Sequence, residues 1–128
     1  MKDRVALSRG EMEVASVLWR LGEGTVRQVF DTFPMGREID FSTVQTYLRR
    51  LEAKGYAKTR LEGRVRVYTP TVKPGTVKSE TVNDLVDRLF GGETMSLVRH
   101  LVEDKSFSAE ELKELRRLVR KLKEDDHA

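Results

Sequence analysis

Apolar residues recur at helical spacing in three successive stretches of the first half of the chain. The first stretch starts at Ser8, the second starts at Thr25 and stops at Pro34, and the third covers residues 41–55. Ser8 and Thr25 are each followed three residues later by Glu or Gln, which is the spacing of a capping box. Three short helices with brief connections predict a helix-turn-helix core. The apolar positions are Met12, Ala15, Val17, Leu18, Trp19 and Leu21 in the first helix, Val26, Val29, Phe30 and Phe33 in the second, and Val44, Tyr47, Leu48 and Leu51 in the third.

The helix predicted over residues 41–55 has two different faces. Its apolar stripe must pack inward, which leaves short hydrogen-bonding side chains early in the helix and guanidinium groups later. Ser42 is predicted to cap the helix because Gln45 follows three residues later, and Gly55 stands where a C′ glycine is favoured. Such a helix can contact base edges of a major groove with its first turns and phosphates with its later turns. A solvated polar face on an ordinary helix explains the same residues equally well.

The pattern changes from helical to alternating after Gly55, which predicts a β-hairpin with its turn at Glu62 and Gly63. Four cations of the hairpin stand against one acidic residue, so it presents a positive edge. Such charges also protect an exposed edge strand from aggregation, which is the alternative explanation. Three helices followed by a hairpin make a winged helix, whose wing lies against the DNA backbone. The four cations are Lys58, Arg60, Arg64 and Arg66.

Beyond the hairpin, Pro70, Pro74 and Gly75 predict a linker, and three further helical patterns follow it. Ser108 and Glu111 are spaced to cap the last helix, whose apolar residues have heptad spacing. Each large apolar side chain contributes about 1.5–3 kcal/mol when it is buried, and this region is too small and too charged to bury them by itself. We therefore expect a two-fold dimer with the same region of a second copy, the alternative being helices that fold back on the first part. The apolar residues assigned to the dimer are Val82, Leu85, Val86, Leu89, Phe90, Val98, Leu101, Leu112, Leu115, Val119 and Leu122.

Charge is distributed unevenly along the chain. Residues 1–73 contain 14 Lys and Arg against 9 Asp and Glu, whereas residues 74–128 contain 10 against 12. A basic first part and a slightly acidic second part predict that only the first meets a polyanion. We expect a mostly α fold with a small β-hairpin. Residues 1–73 are expected to form a winged-helix DNA-binding domain and residues 74–128 a helical dimerisation region.

The composition excludes several classes of site. The 128 residues include no cysteine, so disulfides, thiolate metal sites and cysteine nucleophiles are excluded. No apolar run approaches the roughly 20 residues that a membrane span needs, and the first residues lack the apolar core of a signal peptide. We expect a cytoplasmic protein with no cofactor and no membrane partner. An enzyme is not expected, because His100 lies in a helical pattern without a second histidine or a nucleophile beside it.

With these elements in order, the chain resembles the BlaI/MecI/CopY family of bacterial penicillinase-type repressors over nearly its whole length. The matching segments are LSRGEMEVASVLW at 7–19, TVRQVFDTF at 25–33, STVQTYLRRLEAKGY at 42–56, GRVRVYTP at 63–70, LVDRLFGG at 85–92 and FSAEELKELRRLV at 107–119. The resemblance implies a dimeric winged-helix repressor that occupies an inverted repeat in a promoter. It also implies a recognition helix at residues 42–54 and a wing tip at residues 61–66.

This chain departs from the family in two places. The CopY branch binds metal through a C-terminal cysteine cluster, which a chain without cysteine cannot do. The β-lactam-responsive branch is induced by cleavage of an Asn-Phe bond in the helix that here reads SLVRHLVED, and the aligned pair is His100 and Leu101. These two residues are therefore the candidate cleavage region, and a regulatory protease is a candidate partner, although the pair differs from the cleaved one.

The expected partners are double-stranded DNA and a second copy of the chain. Thr43, Gln45 and Thr46 are expected to contact base edges, and the cations are expected to neutralise phosphates. The alternative is a winged helix that binds another protein without touching DNA, although the exposed helix of such a module tends to lack this cluster of cations. The residues assigned to DNA are Ser42, Thr43, Gln45, Thr46, Arg49, Arg50, Lys54, Arg64 and Arg66.

Overall fold

The computed structural model of the protein describes residues 4–104 and 106–126. It confirms the mostly helical fold with one antiparallel hairpin. The contacts divide the chain into a first unit that ends at Thr81 and a second that begins at Val82. The elements are α1 (Arg9–Leu21), α2 (Val26–Thr32), α3 (Phe41–Ala53), β1 (Ala57–Glu62), β2 (Val65–Pro70), α4 (Pro74–Leu89), α5 (Thr94–Glu103) and α6 (Ala109–Asp126).

Capping boxes begin α1, α2 and α6, as their spacing predicts. In each box the hydroxyl of the first residue accepts from the backbone N–H three residues later, at 3.1–3.2 Å. The side chain of that later residue accepts from the first N–H in return, at 2.8–2.9 Å. The two bonds satisfy N–H groups that a helix start leaves without a partner. The pairs are Ser8 with Glu11, Thr25 with Gln28, and Ser108 with Glu111.

The start of α3 differs from the prediction that Ser42 caps it. The N-cap lies two residues earlier, at Asp40, whose side chain makes no capping hydrogen bond. The Asp40 carbonyl accepts from the N–H groups of Thr43 and Val44, both at 3.1 Å. Ser42 therefore lies inside the first turn, where its own carbonyl accepts from the Thr46 hydroxyl at 3.0 Å.

The end of α3 follows the sequence pattern closely. Gly55 has φ +86°, a left-handed conformation that glycine adopts without strain. Its N–H donates to the Glu52 carbonyl at 3.0 Å, and the Tyr56 N–H donates to the Leu51 carbonyl at 2.8 Å. This pair of bonds is a Schellman motif, so the predicted C′ glycine is confirmed.

The core of the first unit lies where α1, α2 and α3 meet the base of the hairpin. Trp19 is packed against this core, and its indole N–H donates to the Val72 carbonyl at 3.0 Å. Gly10 brings α1 close to α3, because a Cβ at this position would lie 2.6 Å from Cζ of Tyr47. Leu21 is 37% exposed, although it belongs to the predicted apolar side of α1. The largest fully buried side chains are Leu18, Leu48, Leu51, Val14, Val17, Val29 and Val44.

The hairpin turn lies one residue later than predicted. Glu62 pairs with Val65, so Gly63 and Arg64 form a two-residue turn. The base of the hairpin is joined to the connection between α1 and α2 by two backbone hydrogen bonds of 2.8 and 2.9 Å between Gly24 and Tyr68. The helical core therefore holds the hairpin in place.

The segment predicted as a linker belongs partly to a helix. Pro74 is the first residue of α4, a position where proline lacks only an N–H that would have no partner. Val77 is buried in the core of the first unit, and the Arg4 guanidinium lies 3.0 Å from the Glu80 carboxylate. The first two turns of α4 consequently belong to the first unit. The division falls after Thr81, eight residues beyond the expected boundary.

The second unit buries little of its apolar surface. Val86 is buried, but α5 and α6 contain no buried residue in the part of the chain that the structure describes. Among the residues assigned to the dimer, Phe90, Val98, Leu101, Leu112 and Leu115 are half-buried. The others are exposed: Val82, Leu85, Leu89, Val119 and Leu122. No helix within the described ranges is long and apolar enough to cross a membrane.

Candidate nucleic-acid interface

The polar side chains of α3 lie on the side of the helix that faces away from the core. Val44, Leu48 and Leu51 are buried on the opposite side, which fixes the orientation of the helix. The predicted face therefore comes together as one surface. Its exposed members are Ser42, Thr46, Arg49 and Arg50, and its half-buried members are Thr43 and Gln45.

A shallow depression lies near the start of this face and is lined by short hydroxyl side chains and one guanidinium. Arg50 is held there by Tyr47, whose ring centroid lies 5.6 Å from the guanidinium carbon. A cation over an aromatic face is attracted by the ring quadrupole, so its position is restrained without loss of its N–H donors. The lining residues are Ser42, Thr43, Thr46, Tyr47 and Arg50.

A larger cleft separates α3 from the hairpin tip, and we call it the wing cleft. Its volume is about 390 Å³. Four of its lining residues are arginines, and none of the described lining residues is acidic. Such a surface attracts polyanions. The wing cleft is lined by Thr25, Val26, Arg27, Phe41, Gln45, Arg49, Arg64, Val65, Arg66 and Tyr68.

Arg66 is positioned in the wing cleft by a chain of hydrogen bonds. Its guanidinium donates to the Thr59 hydroxyl at 3.2 Å, and that hydroxyl donates to the Glu52 carboxylate at 2.9 Å. Burial raises the pKa of Tyr68 and Glu52 raises it further, while Arg49 and Arg66 act in the opposite direction. The Tyr68 phenol is therefore a neutral hydrogen-bonding group at neutral pH.

Lys54, for which we predicted a phosphate contact, forms an ion pair with a carboxylate of α1. Its ammonium lies 2.6 Å from the carboxylate of Glu11, a residue that is 2% exposed, and 3.3 Å from the Ala6 carbonyl. Desolvation raises the pKa of Glu11, but hydrogen bonds from Lys54 and Ser8 outweigh it and lower the pKa overall. Lys54 thus joins the end of α3 to the start of α1, away from the wing cleft.

Arg60 also contributes less to the positive edge than the sequence indicates. Its guanidinium donates to the Glu23 carboxylate at 2.9 and 3.0 Å and to the Glu62 carboxylate at 2.6 and 3.1 Å. These hydrogen bonds raise the pKa of Arg60. Two carboxylates surround this cation, which leaves Lys58, Arg64 and Arg66 as the other cations of the positive edge.

Thr25, Arg27 and Tyr68 line the wing cleft but are not among the residues that the sequence assigned to DNA. The helical pattern of α2 places Arg27 on its polar side, and it cannot tell which neighbouring helix that side faces. One feature of the sequence points to Arg27. A cation in the first turn of a helix is locally unfavourable, which indicates that the residue has another role.

The candidate cleavage pair lies in the later part of α5. His100 is exposed and its ring lies 5.9 Å from that of Phe90, whereas Leu101 is half-buried. Among the residues that the structure describes, no cluster of His, Asp and Glu is arranged to hold a metal ion.

Comparison with known proteins finds one matching protein family and several related proteins. The family profile described as penicillinase repressor matches residues 7–121. The methicillin resistance regulatory protein MecI of Mammaliicoccus sciuri is 25% identical over 115 residues, covering 90% of this chain and 94% of that protein. The penicillinase repressor of Bacillus licheniformis is 29% identical over 119 residues, covering 93% of each. The solution structure of the DNA-binding domain of the repressor BlaI matches with a TM-score of 0.50 and 34% identity, covering 58% of this chain and 90% of that domain.

Proposed function

The chain belongs to the penicillinase repressor family, and we propose that it represses transcription as a homodimer bound to an inverted-repeat operator. It is a winged-helix DNA-binding repressor, which is not a class of enzyme. The wing cleft carries this proposal, because four arginines and no described acidic residue line a groove beside the polar face of α3. The proposed site of action is the cytoplasm.

We assign the contacts by position on α3 and the hairpin. Thr43, Gln45 and Thr46 contact base edges in the major groove, where each base pair presents a distinct pattern of donors and acceptors. The arginines on the exposed face of α3 and at the hairpin tip contact phosphates. Lys54 is left out of this set because Glu11 engages it. The phosphate-contacting residues are Arg49, Arg50, Arg64 and Arg66.

The second unit provides the dimer in this proposal. Its exposed apolar residues, including Leu122 at 65% and Leu89 at 70%, favour burial against a second copy. Two copies of α3 would then enter successive major grooves, about 10 bp apart or slightly more. Repression follows because a dimer over a promoter blocks polymerase, and bivalent binding loses most of its strength when the two halves are separated.

A regulatory protease fits the same arrangement. A cut between His100 and Leu101 would separate α6 from α4, and the apolar residues of the dimer lie on both helices. The two DNA-binding halves would then be uncoupled. Purified repressor cut at an inserted protease site in α5 should keep half-site binding and lose full-operator binding. Unchanged full-operator affinity would reject this mode of release.

Selection of bound duplexes from a random library is the test of the proposed function. It should return two inverted half-sites, and sedimentation should give a dimer at micromolar concentration. Binding to the selected duplex should fall log-linearly with salt, because neutralised phosphates release counterions. Binding without this salt dependence would favour the protein-interaction alternative, and a monomer would reject the dimer.

Two substitutions then separate base contacts from phosphate contacts. Gln45→Ala should cost about 1–3 kcal/mol at one base pair of the site and relax the preference there. Arg64→Ala should weaken binding to all sequences and reduce the magnitude of the salt slope by about 0.9. Arg88→Ala, in the second unit, is the control for the loss of one positive charge. A uniform loss of affinity in both test variants would show that the assignment of contacts is wrong.

A further inference from the structure

Arg27 lines the wing cleft but does not belong to the proposed DNA contacts. It is the second residue of α2, and its guanidinium carbon lies 4.7 Å from the ring centroid of Phe41 and 5.6 Å from that of Phe30. The two rings meet edge to face, with centroids 5.6 Å apart and planes at 70°. Phe41 is the first residue of α3, so this stacked cation lies directly at the start of the recognition helix.

The guanidinium of Arg27 keeps its donors available. The contacts with the two rings are cation–π contacts and use no oxygen acceptor, so the N–H groups can still donate to an oxygen. The remaining interaction is an ion pair with Asp31 at 3.7 Å, between side chains that are 65% and 59% exposed. That distance is too long for a hydrogen bond, and an exposed ion pair of this kind is weak. An incoming anion can therefore take these donors.

The position of Arg27 is unfavourable for the stability of α2. A cation in the first turn of a helix lies at the positive end of the helix dipole, which is unfavourable. The supporting ring of Phe41 is itself 36% exposed. Local rules of helix stability are broken most often at functional positions. Gln45, Arg49, Arg64 and Arg66, which the proposed function assigns to DNA contacts, line the same cleft.

We propose that Arg27 holds one phosphate of the DNA backbone in the wing cleft and thereby positions the start of α3 in the major groove. This inference rests on the proposed DNA-binding function. Arg27 acts on all operator sequences alike, because a phosphate carries no base identity. Its planar group is required as well as its charge, because a lysine cannot stack on Phe41 and donate two parallel hydrogen bonds.

Binding to the selected operator, measured by fluorescence anisotropy over a range of salt concentrations, gives the first test. Arg27→Ala should weaken binding about 10- to 100-fold, the range for a hydrogen bond to a charged group, and reduce the magnitude of the salt slope by about 0.9. Arg27→Lys should keep the salt slope and lose most of the same affinity. Phe41→Leu should do likewise, because it removes the ring that orients the guanidinium. Arg20→Ala is the matched control, since it removes an equal charge from an exposed position of α1.

A second measurement identifies the phosphate itself. Operators are prepared with a single neutral methylphosphonate at each backbone position in turn. One position should weaken the wild-type protein about 10-fold or more and have no further effect on Arg27→Ala, because the two changes remove the same contact. This readout does not depend on the absolute stability of the variant. A purely structural role for Arg27 would give additive losses at every position.

The failures of the two proposals can be distinguished. If Arg27→Ala binds as well as Arg20→Ala while Arg49→Ala loses affinity, the inference about Arg27 is wrong and DNA binding stands. If the wild-type protein binds duplex DNA without log-linear salt dependence, the proposed function fails. If Arg27→Ala does not fold, Arg27→Gln is used in the methylphosphonate series, and additive losses there overturn the inference.

Discussion

Leu48 in α3 and Leu122 in α6 both belong to a helical stripe of apolar residues, yet Leu48 is fully buried and Leu122 is 65% exposed. The stripe of α3 meets α1, α2 and the base of the hairpin within the first unit. The stripe of α6 has no buried residue in the described part of the chain. Equal patterns thus lead to unequal burial, because a stripe indicates which side of a helix avoids water and not what covers it.

The ion pairs of the two units differ in the same way. In the first unit, several pairs connect distant elements, as Arg4 does with Glu80 and Arg37 does with Glu13. The described ion pairs of the second unit lie within one helix, such as the pair of Arg88 and Asp84. Ion pairs between distant elements therefore help to hold the first unit together. The second unit leaves most of its apolar residues exposed or half-buried in the described part of the chain.

Among the tests of this contrast, truncation of a buried leucine should cause the largest change in the free energy of unfolding. Leu48→Ala is expected to lower the free energy of unfolding by about 2–5 kcal/mol, because it removes transfer energy and leaves a cavity. Urea denaturation followed by circular dichroism measures this change. The same truncation at Leu122 should cost much less in a monomeric sample. Equal losses at both positions would contradict the contrast between the units.

The buried pair of Glu11 and Lys54 should give the next largest effect. Glu11→Gln leaves the Lys54 ammonium without its partner, at an expected cost of about 2–4 kcal/mol at pH 7. The folded-state pKa of Glu11 is lowered, so the stability it contributes is complete above its unfolded pKa and is lost as pH falls through the folded pKa. The difference in the free energy of unfolding between the wild type and Glu11→Gln should therefore decrease as the pH is lowered. Glu13→Gln, in the more exposed pair with Arg37, should cost no more than about 1 kcal/mol.

Two glycine substitutions test whether the end of α3 needs its left-handed residue. Gly55→Ala meets no neighbouring atom within 4 Å but keeps φ +86°, so strain alone should cost about 1–2 kcal/mol. Gly75→Ala also meets nothing within 4 Å and lies in the first turn of α4, where it should stabilise by about 0.4–1 kcal/mol. Thermal unfolding compares the two. Changes of the same sign would show that the Schellman motif is not what requires Gly55.

Substitution of an exposed apolar residue of α6 should have the smallest effect on folding and a large effect on dimer formation. Leu122→Glu should change the unfolding of the first unit by less than about 0.5 kcal/mol, because its side chain is exposed. It should weaken the proposed dimer about 100-fold or more, since two copies of a buried leucine are lost. Sedimentation equilibrium measures this, with the adjacent Lys121→Glu as control. A dimer unaffected by Leu122→Glu would place the interface elsewhere.

Local features of the fold could be predicted from the sequence. The capping boxes at Ser8, Thr25 and Ser108 and the C′ glycine at Gly55 involve residues close together in the chain, so spacing alone identifies them. The order of three helices and a hairpin likewise follows from the spacing of apolar residues, which changes from helical to alternating after Gly55. The start of α3 was misplaced because its N-cap, Asp40, makes no side-chain capping hydrogen bond, so no capping-box spacing identifies it.

The sequence by itself determined the winged helix, the polar face of α3 and the apolar stripes of the later helices, because periodicity and capping act within a few residues. The tertiary structure alone decided which cations are free. Lys54 meets Glu11 across 43 residues, and Arg60 meets Glu23 across 37. Arg27 lines the wing cleft because α2 packs against α3, with the guanidinium of Arg27 over the ring of Phe41. Ion pairing depends on distances of a few ångströms between groups far apart in the chain, and only the packing of the helices sets those distances.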